Sequence, residues 1–234
     1  MGEIDIAMDS KFIAFSEKGV RRSNQDICRI IEMPEHNRSL FVLCDGMGGH
    51  DMGDVAAETV CNALCEYWIE HAMETDSEEK VRKACAVAWK ELYERSVRVR
   101  QVEMGTTLVM ASVEGDRLTV ANCGDSRCYL FRKGKLLYQT TDHVGQRNGW
   151  EVVTRCFFSQ REDVAIPDIA SFTLQTGDSF FLCSDGVSKF VSENVILDCA
   201  QSACSLESVE MRLRRACEES SKDNYSGIFA SIGG

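Results

Sequence analysis

The chain has 234 residues, of which 44% are hydrophobic, so it is long enough for a sizeable core and too apolar for a disordered protein. A formal net charge of −11 argues against nucleic acid as a partner. The first residues lack the apolar stretch of a signal peptide, and no apolar run reaches the roughly 18 residues of a membrane helix. We therefore expect one domain over residues 1–234, cytoplasmic and not bound to a membrane.

The first half of the chain predicts three strands followed by two helices. Strands are expected at 12–16, 27–33 and 39–44. Residues 40–44 are apolar without interruption, which is typical of a strand buried on both faces. Apolar residues at helical spacing predict helices at 53–72 and 77–100.

The second half is richer in strands. Four strands that we expect to form a meander lie at 106–113, 117–123, 127–132 and 135–139. Further strands are predicted at 172–175, 179–184 and 225–232, and helices near 192–202 and 205–219. Because strands and helices come in separate runs, the order favours an α+β fold with packed antiparallel sheets over a doubly wound sheet.

The chain contains 12 cysteines, and none of them stands in a Cys-x-x-Cys pair. Several occur inside apolar runs, such as Cys44 and Cys183. This pattern predicts buried free thiols rather than disulfides or a zinc site.

Four aspartates stand at the ends of predicted strands. Asp45 and Asp185 each follow an apolar run and precede a glycine, Asp223 comes just before the last strand, and Asp26 opens a strand. Carboxylates at strand ends can converge on one point, and oxygen ligands are those that Mg²⁺ and Mn²⁺ prefer. Glycine after the aspartate would let the backbone carbonyl turn toward a metal. Any single Asp-Gly pair is more typical of a simple turn, and two of them at the ends of buried runs make a metal site only a suspicion, so spacing alone leaves both interpretations open.

Seven short motifs follow one another along the chain from about residue 12 to the C-terminus. They resemble, in the same order, those of the type 2C serine/threonine protein phosphatases, the metal-dependent protein phosphatases, and most closely the compact bacterial members. The motifs are Gly19-Val20-Arg21-Arg22-Ser23-Asn24-Gln25-Asp26, Asp45-Gly46-Met47-Gly48-Gly49-His50, Gly105-Thr106-Thr107, Asn122-Cys123-Gly124-Asp125-Ser126-Arg127, Thr141-Asp142-His143, Leu182-Cys183-Ser184-Asp185-Gly186-Val187 and Asp223-Asn224.

This resemblance implies a β-sandwich of two antiparallel sheets flanked by helices on both faces, a four-layer αββα arrangement. It also implies a site for two Mn²⁺ or Mg²⁺ ions at one end of the sandwich. By the match of motifs, Asp45 binds both ions and the Gly46 carbonyl binds one of them. Asp185 and Asp223 bind the other.

Three further residues receive roles from the same resemblance. Asp26 holds metal-bound waters, and Arg21 faces the substrate phosphate. Asp125, together with Asp185, matches the pair that binds a third, looser ion in bacterial members.

The implied activity is metal-dependent hydrolysis of phosphoserine and phosphothreonine in proteins by a water activated between two ions, which reverses Ser/Thr kinase signalling. Phosphorylated proteins are the implied substrates, a cognate Ser/Thr kinase is the implied partner, and we expect a monomer. The Cys-x5-Arg loop of the cysteine-dependent phosphatases does not occur in the sequence, so we expect no catalytic cysteine.

The chain departs from the family pattern in two places. The usual Asn-Glu-Asp reads Asn24-Gln25-Asp26, and the flap segment, about residues 143–170, is short. These departures leave open an alternative, a catalytically weak or silent member that binds phosphoproteins as a regulatory module. Met47 stands where many eukaryotic members carry a histidine, and His50 is left open between a direct and a structural role.

Overall fold

The computed structural model describes residues 10–47, 52–75, 77–201 and 205–233. Its helices are α1 (Gly53–Glu70), α2 (Glu78–Arg98), α3 (Asp185–Ser188), α4 (Glu193–Gln201) and α5 (Leu206–Ser220). Its strands are β1 (Ser10–Glu17), β2 (Asp26–Met33), β3 (Arg38–Met47), β4 (Gly105–Thr106), β5 (Leu108–Glu114), β6 (Arg117–Cys123), β7 (Arg127–Arg132), β8 (Lys135–Gln139), β9 (Val144–Arg147), β10 (Trp150–Val153), β11 (Phe157–Phe158), β12 (Asp168–Thr173), β13 (Ser179–Cys183) and β14 (Tyr225–Ile232). None of the described helices is long and apolar enough to cross a membrane.

The strands form two antiparallel sheets and a separate hairpin. One sheet has the order β1-β14-β13-β7-β8, and the other has the order β11-β4-β3-β5-β6-β12. Strand β2 also pairs with β3, along residues 38–45 of β3, and β4 pairs with β3 at Gly46 and Met47 in the register of β5. Among the described strands, β9 and β10 pair only with each other. The prediction of an α+β fold with antiparallel sheets is confirmed.

Strand β3 illustrates why an apolar strand is needed here. Phe41 and Leu43 belong to a buried cluster that also takes Val109 of β5 and Phe180 of β13, so they pack between the two sheets. The alternating residues of the strand face the other way: Leu40, Val42 and Cys44 pack with α1 and α2. Both faces of the strand are therefore buried, as its uninterrupted apolar run predicts.

A third cluster covers the outer face of the other sheet. Phe181 and Phe229, from β13 and β14, pack against Ile196 of α4 and Leu213 of α5. With α1 and α2 on one outer face and α4 and α5 on the other, the predicted four-layer αββα arrangement is confirmed. The eleven cysteines of the described part are free thiols, ten of them buried, which confirms the prediction for that part of the chain.

The four strands predicted as a single meander divide between the two sheets. Strands β5 and β6 belong to one sheet, and β7 and β8 to the other. The chain crosses at residues 124–126, where Gly124 has a φ of +130° and packs against Thr107. The meander prediction was wrong because the alternation of side chains within a hairpin carries no information about which sheet the hairpin joins.

The flap segment contains elements that the sequence analysis missed, the β9–β10 hairpin and β11, and the strand expected at 172–175 is β12, Asp168–Thr173. Asn148 and Gly149 connect β9 and β10, and both have positive φ. An Asn-Gly pair with positive φ at both residues is typical of a two-residue hairpin turn, so this signal was available in the sequence. Half of the strand residues in this hairpin are exposed and none is buried, so its sequence lacks the apolar stripe that marks a core strand.

Candidate metal centre and active site

The backbone of Asp45 is clamped by two buried threonines. The Asp45 N–H donates to the Thr107 hydroxyl (3.1 Å), and the Asp45 carbonyl accepts from the Thr107 N–H (2.9 Å) and from the Thr106 hydroxyl (2.9 Å). The Thr107 hydroxyl also lies 2.7 Å from that of Ser126, in the turn where the chain changes sheets. The Gly105-Thr106-Thr107 motif therefore acts by holding Asp45 in place.

Asp26 lies directly opposite Asp45 in the β2–β3 pairing. It is only 4% exposed; Ser184 donates a hydrogen bond to its Oδ2 (2.9 Å), whereas its Oδ1 has no partner among the described residues. Burial, reinforced by neighbouring carboxylates, raises the pKa of Asp26 to about 7. Burial and the charge of Asp26 also raise the pKa of Asp45. Like charges placed opposite each other on paired strands are destabilising, so the negative charges of Asp26 and Asp45 repel each other in the folded protein.

Asp185 and Asp223 come from the other sheet. Asp185 opens α3 directly after β13, and Asp223 precedes β14, the neighbour of β13. Both carboxylates contribute to the raised pKa of Asp45, after the larger effects of burial and Asp26. The four aspartates at predicted strand ends are thus brought to the same end of the sandwich, two from each sheet.

The glycines after Asp45 and Asp185 are required by close backbone packing. A Cβ on Gly46 would lie 2.2 Å from the carbonyl oxygen of Gly53 at the start of α1, and a Cβ on Gly186 would lie 1.8 Å from that of Asn224. Neither glycine has a positive φ. Glycine therefore allows α1 to start close to the end of β3, and α3 to start close to the beginning of β14.

Arg21 reaches the site from the loop between β1 and β2. Its guanidinium donates to Asp223 Oδ2 (2.6 Å), and its side chain is 56% exposed. The buried Asn224 side chain donates to the carbonyls of Lys18 and Ser23 (2.8 Å each), which fastens this loop to the start of β14. The Asp223-Asn224 motif thus supplies one carboxylate to the site and one anchor for the loop that carries Arg21.

Asp125 lies in the turn where the chain changes sheets, and it is 4% exposed. The Lys189 ammonium is 2.6 Å from Asp125 Oδ2 and 3.0 Å from Asp185 Oδ2. Burial raises the pKa of Asp125, although Lys189 opposes that shift. The predicted proximity of Asp125 and Asp185 is therefore supported, but the group between them is a lysine that the sequence analysis missed. Its available signal was the spacing of four residues from Asp185.

The Thr141-Asp142-His143 motif anchors the base of the flap segment. Arg127 makes a two-pronged ion pair with Asp142 (2.8 and 2.7 Å). The buried His143 accepts from the Gly124 N–H at Nδ1 (3.1 Å), so its Nε2 carries the proton toward Asp168 (3.0 Å). These residues support the site without pointing into it.

The arrangement fits divalent cations by its chemistry. The unpartnered Oδ1 of Asp26 and the raised pKa values of Asp26 and Asp45 mark buried negative charge that a cation would neutralise. Within the described ranges no three His, Cys, Asp or Glu side chains are arranged to hold one ion by themselves. Asp223 is paired with Arg21, and Asp185 is paired with Lys189. A small number of carboxylates is still sufficient, because Mg²⁺ commonly binds one or two of them together with several waters. Gly48, Gly49 and His50 lie outside the described residues.

The family model that matches this chain is that of protein phosphatase 2C, and two known sequences similar to it are serine/threonine phosphatases. The family model for Protein phosphatase 2C matches residues 18–221. The chain is 30% identical over 230 residues to the serine/threonine phosphatase stp of Listeria monocytogenes serovar 1/2a, with 90% of each chain covered. It is 28% identical to the serine/threonine protein phosphatase PstP of Mycobacterium tuberculosis, covering 95% of this chain and 45% of that protein.

Comparison with solved structures agrees. The catalytic domain of PstP in complex with two manganese ions superposes with a TM-score of 0.81 and 28% identity, covering 97% of this chain and all of that one. A bacterial serine phosphatase superposes with a TM-score of 0.83 and 28% identity, covering 97% of this chain and 98% of that one. From its motifs, its αββα fold and these matches, the chain belongs to the protein phosphatase 2C family.

Proposed function

We propose that this protein hydrolyses phosphoserine and phosphothreonine in other proteins with two divalent cations held at the end of the sandwich. Membership of the family makes the chain a metal-dependent serine/threonine protein phosphatase. The observation that carries the two-ion site is the meeting of four aspartates, two from each sheet, around buried negative charge that lacks a partner.

Asp45 is suited to serve both cations, because its backbone is clamped and carboxylates from both sheets act on it: Asp26 of its own sheet and Asp185 and Asp223 of the other raise its pKa. Asp185 and Asp223 would hold one cation, and the Gly46 carbonyl the other. Asp26 would hold water at the site through its unpartnered oxygen. When bound, the cations supply an activated water as nucleophile and neutralise charge on the phosphoryl oxygens.

Arg21 is suited to bind the substrate phosphate. It is exposed at the rim of the site, and its loop is held by Asn224, so the guanidinium is positioned while its outer face stays open. A planar guanidinium can bind phosphate oxygens in pairs. In the structure one Arg21 N–H donates to Asp223 Oδ2 and another donates to the Lys222 carbonyl. The entering phosphate would therefore share or replace the contact with Asp223.

The test is turnover of a phosphothreonine peptide with Mn²⁺ and with a chelator, for the wild type and for Asp45→Asn. We expect activity only with the cation, and a loss for Asp45→Asn on the order of several kcal/mol in transition-state stabilisation. Asp163→Asn is a matched control, because Asp163 is exposed and its ion pair is with Arg161, away from the site. It should keep wild-type turnover.

Full turnover in a metal-stripped sample would contradict the proposal. Retention of more than about a tenth of the rate by Asp45→Asn, a loss under ~1.4 kcal/mol, would contradict the role of that residue. Binding of the peptide without turnover would instead identify the alternative, a regulatory module that binds phosphoproteins.

A further inference from the structure

The Lys189 ammonium is surrounded by carboxylates from three separate parts of the chain. Besides Asp125 (2.6 Å) and Asp185 (3.0 Å), Glu151 of strand β10 lies 3.5 Å away. An ammonium group has three donors, and two of them make charge-assisted hydrogen bonds here. The position between the turn of Asp125, the start of α3 and the flap hairpin is therefore built around a positive charge.

This positive charge sits where a third metal ion would have to bind. An ion shared by Asp125 and Asp185 needs the space between their carboxylates, which the lysine nitrogen fills. Asp125 is almost fully buried, so its charge requires a partner, and the ammonium supplies one. A third ion would have to displace the lysine and leave it among the remaining acidic groups.

The lysine also has an advantage over a free ion because it is tethered. Lys189 follows Asp185 by four residues, one helical turn, so its ammonium is always within reach of the same carboxylate. Tethering of this kind corresponds to an effective concentration on the order of millimolar or higher. A weakly bound metal ion, which must also lose part of its hydration, competes poorly against it.

We propose that Lys189 permanently occupies the position between Asp125 and Asp185, so that this phosphatase works with two metal ions and a built-in ammonium in place of a third ion. The inference rests on the proposed two-ion function. Lys189 is a positioning residue: it holds both carboxylates and, through Glu151, joins the flap hairpin to the metal site. Asp125 then serves the site through the lysine instead of through the third ion that the family resemblance implied.

The experiment is the Mn²⁺ stoichiometry of the purified protein, measured by equilibrium dialysis with the free ion raised into the millimolar range. We expect two ions for the wild type and three for Lys189→Met. The added ion should be lost again in the double variant Lys189→Met/Asp125→Asn. Lys83→Met is the matched control, because Lys83 makes the same four-residue pair with Glu79 on the exposed face of α2. It should bind two ions.

Lys189→Arg, which keeps the charge, should also bind two ions. Lys189→Gln replaces Lys189→Met if that variant does not fold, with the same expected gain of one ion. Three ions on the wild type, or no gain on removing the lysine charge, would overturn the inference and leave the proposed function standing. A wild type that binds no Mn²⁺ would overturn both.

Discussion

Replacing Asp26 by asparagine should make the metal-free protein more stable near neutral pH. Asp26 is buried opposite Asp45, and burial raises its pKa from 3.8 to about 7. Asp26 therefore binds a proton more tightly in the folded state than in the unfolded chain. Its protonation stabilises the folded wild type at low pH, and this contribution is lost as the pH rises from about 4 to 7. Asparagine imitates the neutral carboxyl and can still accept the Ser184 hydrogen bond.

The size of the effect follows from the two pKa values. The pKa of Asp26 rises from 3.8 to about 7 on folding, and each unit is equivalent to 1.36 kcal/mol. At pH 8 the free energy of unfolding of Asp26→Asn should therefore exceed that of the wild type by about 4 kcal/mol. At pH 5 Asp26 is still almost fully protonated in the folded wild type, so the stability advantage of Asp26→Asn over the wild type falls to less than about 2 kcal/mol. For a chain of this length, about 4 kcal/mol corresponds to a rise in Tm of about 10 °C.

The assay is urea unfolding of both proteins in chelator at several values from pH 5 to 8. Adding Mn²⁺ should reverse the order at pH 8, because a cation that binds the folded state stabilises it by mass action, and the wild type binds it better. Asp178→Asn is a contrasting control: Asp178 is also buried but is paired with Arg132, so loss of its charge should destabilise the protein.

If Asp26→Asn is no more stable than the wild type at pH 8 in chelator, the buried negative charge at the site has been overestimated. An advantage that does not shrink toward pH 5 would exclude ionisation of Asp26 as its cause.

Two further changes test the surroundings of Asp45. Gln25→Glu should lower the Mn²⁺ concentration for half-maximal activity, since groups around metal ligands tune affinity by about 10–100-fold, and an unchanged or higher value would contradict this. Thr107→Val removes the hydroxyl that accepts from the Asp45 N–H, and leaving that buried group unpaired should cost about 1–3 kcal/mol of unfolding free energy and reduce turnover. Unaltered urea unfolding and turnover in Thr107→Val would show that the threonine does not hold Asp45.

Much of the architecture was predictable because strand and helix periodicities are local. Residues 40–44 are apolar throughout, and the fold buries both faces of that strand. The helices at 53–72 and 77–100 were predicted within about two residues of α1 and α2, since the apolar stripe that defines each helix is the same stripe that packs. The order of the motifs also identified the aspartates that the structure brings together.

Tertiary structure alone decided what depends on residues far apart in the chain. The sheet that each hairpin joins, the clamp of Thr107 on Asp45 and the position of Lys189 between Asp125 and Asp185 all involve partners that the fold brings together. Periodicity reports which face of an element is apolar, but not which distant element covers it. In the sequence, Lys189 four residues after Asp185 is typical of an ordinary ion pair along a helix. Lys189 becomes part of the site only because the turn where the chain changes sheets brings Asp125 to the other side of its ammonium.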